Sequence, residues 1–325
     1  MPKIVLRESI NTPTPRFPKC HCSSIAELPS GDLIAVWYAG SAEARPDVAV
    51  LASKKPKDAE KWSPPQVVSD TPGKPEGNPV VFVTPDEKLW VVFGVMHGKL
   101  DGPPGPGVRW ATCDVRCKTS LDEGETWSQT RMLRAELGMV PRCKPLFLEN
   151  GDIVMGFEHK DGYSYFMISS DLGESWIWTG PLLGVPNQHP TLIQRRDGSI
   201  LALLRPSLFK RIARSVSYDN GRTWEEATNT DLPNPGAAID MVKLDDGRVV
   251  LAFNNSPHTR NPLTLAMSED EGETWPHRRD LVTGEGSFAY PAIIQDREGL
   301  LHVTYSNNRN TIDHIVVEPD WILGG

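Results

Sequence analysis

Ser120-Leu121-Asp122-Glu123-Gly124-Glu125-Thr126-Trp127 is spelled out three more times in this chain of 325 residues. The further copies run Ser169–Trp176, Ser217–Trp224 and Ser268–Trp275, and each keeps the Ser-x-Asp-x-Gly-x-(Thr/Ser)-Trp order. Asp122, Asp171, Asp219 and Asp270 are spaced by 49, 48 and 51 positions. A period of that size means stacked or radial supersecondary units. Within one copy, the aspartate accepts backbone N–H bonds and caps its own turn. The glycine supplies a positive-φ position at no steric cost. The tryptophan buries a large ring between neighbouring units. The phrase therefore reads as a structural staple at a turn between two strands.

A second repeat works outward from these turns. Apolar run, turn and apolar run recur six times: Ser24–Trp37, Pro79–Phe93, Pro145–Phe157, Pro190–Leu204, Ile239–Phe253 and Pro291–Tyr305. The runs are short, rich in β-branched residues and bounded by turn residues, which is the hairpin pattern. No long helical period is present. Six units of about four strands predict an all-β fold, a six-bladed β-propeller of four-stranded antiparallel blades. One domain, 1–325, accounts for the whole chain. The first unit has a worn turn phrase, Ser53–Trp62, and the sixth lacks it. Asp313–Val317 is the expected third strand of the last blade. The amino-terminal Lys3–Leu6 strand then closes the ring, which removes free sheet edges.

Composition narrows the partners. A net charge of −8 argues against nucleic acid. No segment has the length of a membrane-spanning helix. No basic, apolar leader precedes the first strand, so a cytoplasmic location is expected. Five cysteines include Cys20-His21-Cys22 and Cys113-x-x-x-Cys117. These resemble metal patterns only superficially; free thiols are the expectation, with no metal and no cofactor. Asp101-Gly-Pro-Pro-Gly-Pro-Gly107 is expected to form a loop over one face. Trp37, Trp90 and the tryptophans of the turn phrase are expected in the core, and His302, inside a strand, is expected to be structural.

Inner strands of a propeller converge on an axial funnel, so polar residues at their ends are candidates for a site. The strand starts hold His21, Asn78, Arg142, Lys144, Gln188, His189, Asp240 and Tyr290. The ends of the second strands hold Glu43, Arg45, Asp47, His97, Glu158, His159, Arg205, Arg211, Asn254, Asn255, Arg260 and Arg309. Arginine grips a carboxylate through two parallel hydrogen bonds. Histidine, tyrosine and carboxylate offer proton transfer. The mixture fits an anionic ligand.

The turn phrase resembles the Asp-box, or BNR, repeat of the sialidases. The chain is similar to the bacterial sialidase-like branch of that superfamily over essentially its full length. Non-catalytic propellers and polysaccharide lyases carry the phrase too. The resemblance implies three arginines on a substrate carboxylate, a tyrosine nucleophile, a glutamate that activates it and an aspartate acid/base. Tyr290 matches the tyrosine, Arg260 the third arginine, and Arg205 or Arg211 the second. Asp47 matches the aspartate, with Glu43 the fallback. Two positions depart from the pattern. His21-Cys22-Ser23-Ser24 stands where the first arginine belongs, with Arg16 nearby, and Gln188 stands where the glutamate belongs. Free tyrosine, with a pKa of about 10, is a poor nucleophile at neutral pH. Gln188 takes no proton; His189 or His21 could. Asp240, Arg142, Glu158, His159 and Asn255 complete the candidate binding set.

The implied activity is exo-hydrolysis of a terminal acidic sugar, a carbohydrate partner. A rival reading is β-elimination from a uronic-acid glycan, with Arg neutralising the carboxylate and His and Tyr moving the protons. A third is a propeller that binds carbohydrate without catalysis. Neither the sugar nor the oligomeric state is legible in the sequence.

Overall fold

The computed structural model describes residues 1–98 and 110–324. Asp101–Gly107 lies outside the described residues. Strand β1 (Ile4–Ser9) precedes six antiparallel blades. Blade I comprises β2 (Lys19–Glu27), β3 (Leu33–Gly40), β4 (Ala49–Lys55) and β5 (Gln66–Ser69). Blade II comprises β6 (Glu76–Val83), β7 (Leu89–Met96), β8 (Cys113–Ser120) and β9 (Arg131–Arg134). In blade III the inner strand is split into β10 (Met139–Pro141) and β11 (Leu146–Phe147). Both pair with β12 (Ile153–His159), followed by β13 (Ser164–Ser169) and β14 (Ile177–Leu182). Blade IV is β15 (Asn187–Gln194), β16 (Ile200–Pro206), β17 (Arg211–Ser217) and β18 (Thr228–Pro233). Blade V is β19 (Asp240–Lys243), β20 (Val249–Asn254), β21 (Leu263–Ser268) and β22 (His277–Val282). Blade VI is β23 (Phe288–Gln295), β24 (Leu301–Asn307) and β25 (Thr311–Val317), with β1 as its outer strand. The amino-terminal strand does close the ring, and it extends to Ser9, paired with Asp313.

The second strand of each blade is covered on both faces by neighbours, so it reads as a near-continuous apolar run. Leu89–Met96 is buried at every position, as is Leu33–Gly40. Among the described residues, six of the apolar clusters lie between neighbouring blades, one at each junction. The last of them joins Ala292 and Ile312 of blade VI to Ile25, Ala35 and Trp37 of blade I.

The repeated phrase forms the same clasp four times. In the second copy Ser169 Oγ donates to Asp171 Oδ1 at 2.7 Å. Asp171 in turn accepts from Ser175 N at 2.9 Å and Ser175 Oγ at 2.5 Å. The residue before each glycine, Leu172 in this copy, shares its left-handed conformation. The glycine faces the second strand of the preceding blade. A Cβ on Gly173 would stand 2.8 Å from the Trp90 ring, and one on Gly221 3.0 Å from Val154. Only Gly fits both the angle and the space. The tryptophans sit further out than expected. Trp275 is buried, whereas Trp127, Trp176 and Trp224 are half-buried at the rims of the clusters. Trp176 and Trp224 send Nε1–H back to the glycine carbonyl of their own turn.

Candidate functional site at the axial mouth

Four inner strands carry a bulge at the same level. The register slips between His21 and Ser24, Gly77 and Val80, Gln188 and Thr191, and Ala289 and Ala292. Inside each slip one non-glycine residue adopts positive φ: Cys22, Asn78, His189 and Tyr290. A bulge adds one residue to one strand and re-aims its side chains. Left-handed non-glycine residues are uncommon and concentrate at functional sites. Here they bring His189 and Tyr290 to the axis. In blade III the break between β10 and β11 does the equivalent, turning Arg142 inward.

The result is a cleft of about 470 Å³. Its wall includes Tyr38, Glu43, Asn78, Trp110, Glu158, His159, Lys160, Gln188, His189, Arg205, Arg260, Tyr290 and Arg309. Tyr290 is the centre. Arg205 Nη1 donates to its phenolic oxygen at 3.0 Å. The guanidinium carbons of Arg142, Arg205 and Arg260 lie 5.3, 5.9 and 5.3 Å from its ring centroid. The His21 ring lies at 4.2 Å, tilted, and the His189 ring at 6.0 Å, edge-on.

The cleft wall carries four cationic side chains (Lys160, Arg205, Arg260, Arg309) and two carboxylates, Glu43 and Glu158. Glu43 is committed to Arg309, with which it forms an ion pair, and to Trp110 Nε1 at 3.2 Å. Glu158 is committed to His189 Nε2 at 2.7 Å and to Gln188 Nε2 at 3.0 Å. Arg205 and Arg260 have no carboxylate partner among the described residues. Burial lowers the Arg260 pKa from its usual value, and the like charges of Arg205 and Arg309 add to that. A half-buried guanidinium without a counter-ion is unfavourable, and an incoming carboxylate relieves it.

Burial disfavours the charged form of both histidines. Complete burial pushes His21 well below its ordinary value, and the charges of Arg309, Arg260, Arg142 and Arg205 push it further. Its Nδ1 meets Ser306 Oγ at 2.7 Å. Burial drives His189 down to about 4 against the pull of Glu158, with Arg205 and Arg142 adding to the fall. Burial raises Glu158, but the hydrogen bond from His189 and the charge of Arg205 hold it below the ordinary carboxylate range.

The structure brings together Tyr290, His21, His189, Gln188, Glu158, His159, Arg205, Arg260 and Glu43. Arg142 lies directly beneath, 1% exposed, donating to the Pro291 carbonyl at 2.5 Å. Asp47 stands outside the cleft wall, exposed, accepting from Ser41 N and Ser41 Oγ at 2.9 Å each. Arg211 is exposed and faces Asp231. Asn255 is half-buried and not part of the wall. Asp240 is buried below the site as a joint between blades. It accepts from Thr191 Oγ1 at 2.9 Å, Lys144 Nζ at 2.8 Å and Ile293 N at 2.9 Å. Arg16 lies at the surface, paired with Asp70.

Tyr38, Trp110 and Lys160 were not singled out by the sequence reading. Arg309 was placed at the mouth there but given no role. It occupies a tight turn beside Asn308, both at positive φ. The run Asn307-Asn308-Arg309-Asn310 was the available signal.

All five cysteines are free and buried. Burial raises the Cys20 and Cys143 thiols to about 12, which makes them inert. Among the described residues no group of three or more His, Cys, Asp or Glu could hold a metal ion. No helix there is long and apolar enough to cross a membrane.

Comparison with known proteins agrees with this architecture. The family described as BNR repeat-like domain matches residues 31–303. A sialidase from Micromonospora viridifaciens is 26% identical over 331 residues, covering 89% of this chain. The chain spans half the length of that relative, 50%. A solved Dyadobacter fermentans protein of unknown function superposes with a TM-score of 0.82 at 17% identity, covering 98% of this chain and 99% of that one. The Hadza microbial sialidase Hz136 superposes with a TM-score of 0.79 at 19% identity, over 94% and 66% of the two chains. These superpositions establish a common fold. With its four clasped turns, six blades and matched span, the chain belongs to the BNR repeat-like domain family.

Proposed function

We propose that this propeller is an exo-acting glycoside hydrolase for a terminal sugar that bears a carboxylate. The observation that carries this is the pair of guanidinium groups, Arg205 and Arg260, which flank the Tyr290 phenol and lack a protein carboxylate among the described residues. The relative named sialidase supports the same reading. In this scheme the sugar carboxylate binds across Arg205, Arg260 and Arg309. At Arg309 it competes with Glu43 and releases that side chain to carry a proton. Tyr290 oxygen then bonds to the anomeric carbon as the glycosidic C–O bond breaks. Glu43 gives its proton to the departing oxygen. Water later attacks the same carbon as its bond to the Tyr290 oxygen breaks, Glu43 takes a proton from that water, and the phenolate is reprotonated with the proton it gave up on attack. Glu43 has this role rather than Asp47 because Glu43 lines the cleft and Asp47 does not.

The test is release of free acidic sugar from a sialoside, followed with wild type and Tyr290→Phe. The expected loss in kcat is at least about 10³-fold with KM little changed. Full turnover by Tyr290→Phe would refute the mechanism. One observation favours β-elimination instead: Tyr290 and His189 both meet the same Arg205 nitrogen, at 3.0 and 3.4 Å, an acid–base pair around one carboxylate binder. Incubation with uronic-acid glycans separates the two readings, since elimination gives an unsaturated product absorbing in the near ultraviolet. Binding without turnover on either class would refute both.

A further inference from the structure

Gln188 occupies the place where the resemblance expects a proton-accepting carboxylate, and the structure gives it a different task. Its Nε2 donates to Glu158 Oε1 at 3.0 Å, while Glu158 Oε2 lies 2.7 Å from His189 Nε2. Glu158 therefore accepts at both oxygens, the bonding of an ionised carboxylate. His189 Nε2 must carry the hydrogen in that bond, which leaves Nδ1 as a lone pair. Nδ1 faces Arg205, and the His189 ring stands edge-on to the Tyr290 ring with centroids 6.0 Å apart. Nδ1 lies 3.4 Å from Arg205 Nη1, the same nitrogen that donates to the Tyr290 oxygen. The left-handed backbone of His189, φ 46°, sets this direction. His189 is 2% exposed, so water does not compete for the ring.

Resting on the hydrolase reading, we propose that His189, fixed in its Nε2–H tautomer by Glu158 and Gln188, takes the phenolic proton of Tyr290 as that oxygen attacks. An imidazole–carboxylate dyad replaces a single carboxylate. As the bond from Tyr290 oxygen to the anomeric carbon forms and the glycosidic C–O bond breaks, the proton passes to Nδ1. The resulting imidazolium keeps Nε2–H on Glu158, which stabilises its charge. When water releases the sugar, the imidazolium returns the proton to the phenolate, and the cycle balances. His21 is the other imidazole against Tyr290, at 4.2 Å, but among the described residues its ring hydrogen-bonds only the Ser306 hydroxyl, through Nδ1. Four guanidinium groups oppose a charge there. Gln188 and Glu158 are positioning residues, and His189 is the catalytic one.

The experiment compares wild type with His189→Gln, Glu158→Gln and His189→Glu on a sialoside across pH, each variant checked for folding by thermal melting. His189→Gln should lose about 10²- to 10⁴-fold in kcat with KM within threefold. Glu158→Gln should lose about 10- to 100-fold and steepen the acid limb of the pH profile. His189→Glu, which restores a carboxylate, should keep more kcat than His189→Gln. Nitrogen-15 NMR of the wild type at pH 7 should show neutral His189 protonated on Nε2. A proton on Nδ1 overturns the assignment outright. Normal wild-type turnover with an undiminished His189→Gln overturns it while leaving the hydrolase reading intact. A wild type without turnover on any sialoside overturns that reading and this assignment with it.

Discussion

Arg260 shows at the scale of one residue how a half-buried charge can stand without a protein counter-charge. Its guanidinium lies over the Tyr290 ring and has no carboxylate among the described residues. Arg260→Ala should therefore raise KM for a carboxylate-bearing sugar by about 10- to 100-fold, the worth of one charge-assisted hydrogen-bonded contact. Steady-state kinetics checks this, and an unchanged KM would place the ligand elsewhere. The same scale shows why Gln188 and His189 could not be ranked from the chain alone. They are adjacent, and alternation along a strand sends neighbours to opposite faces. The bulge between Gln188 and Thr191 breaks that alternation. Both side chains then converge on Glu158, one on each oxygen. Arg211 matched the second arginine as well as Arg205 did, because both precede the turn phrase at Ser217, yet its strand carries it outward to Asp231.

At the scale of the element, the clasped turn is a device for holding blades together. Gly173 combines φ 90° with a Cβ position 2.8 Å from Trp90, a rigid ring that cannot yield. Gly173→Ala should destabilise the protein by about 2–3 kcal/mol, from backbone strain plus overpacking. The urea midpoint measures it; a change below about 0.5 kcal/mol would contradict the packing described. Here the sequence was highly legible. Asp, Gly and Trp at fixed offsets need no knowledge of distant residues, because each serves the turn that contains it. The outward placement of Trp127, Trp176 and Trp224 was not legible, since it depends on how far the adjoining blade reaches.

At the scale of the whole molecule, closure of the ring is held by a buried polar chain between blades VI and I. Asp296 meets His302 at 2.8 Å, His302 meets His314 at 3.0 Å, and His314 meets Glu8 at 3.0 Å. Glu8 also takes Lys55 at 2.6 Å and Trp62 at 3.0 Å. Glu8→Ala strands three donors, two of them well buried, and should cost about 2–4 kcal/mol in thermal or urea unfolding. The same joint sets a pH dependence. Burial pushes His314 down to about 4, with Glu8 opposing and His302 assisting. Between pH 6.5 and 4 the unfolded imidazole binds a proton that the folded one refuses, so stability falls as pH drops through that window. Burial raises Glu8, but His314 and Lys55 outweigh it and leave Glu8 below its ordinary value. Its contribution is present above the unfolded carboxylate pKa and is lost as pH falls through the folded one, in the same direction. Urea unfolding at pH 7 and pH 4.5 should show a loss on the order of 2–3 kcal/mol that shrinks in His314→Gln. Equal stability at the two pH values would refute it.

The chain by itself determined the propeller, the number of blades and the closing strand, because these follow from local signals: turn chemistry, alternating runs and their period. It also named most of the residues at the mouth, since position relative to a strand end is a local property. Only the tertiary structure decided which of them meet. The Arg309–Glu43 pair spans 266 positions and the Arg205–Tyr290 hydrogen bond 85. The direction of each side chain turned on bulges whose backbone angles are set by packing around the axis, and packing is a property of all six blades at once.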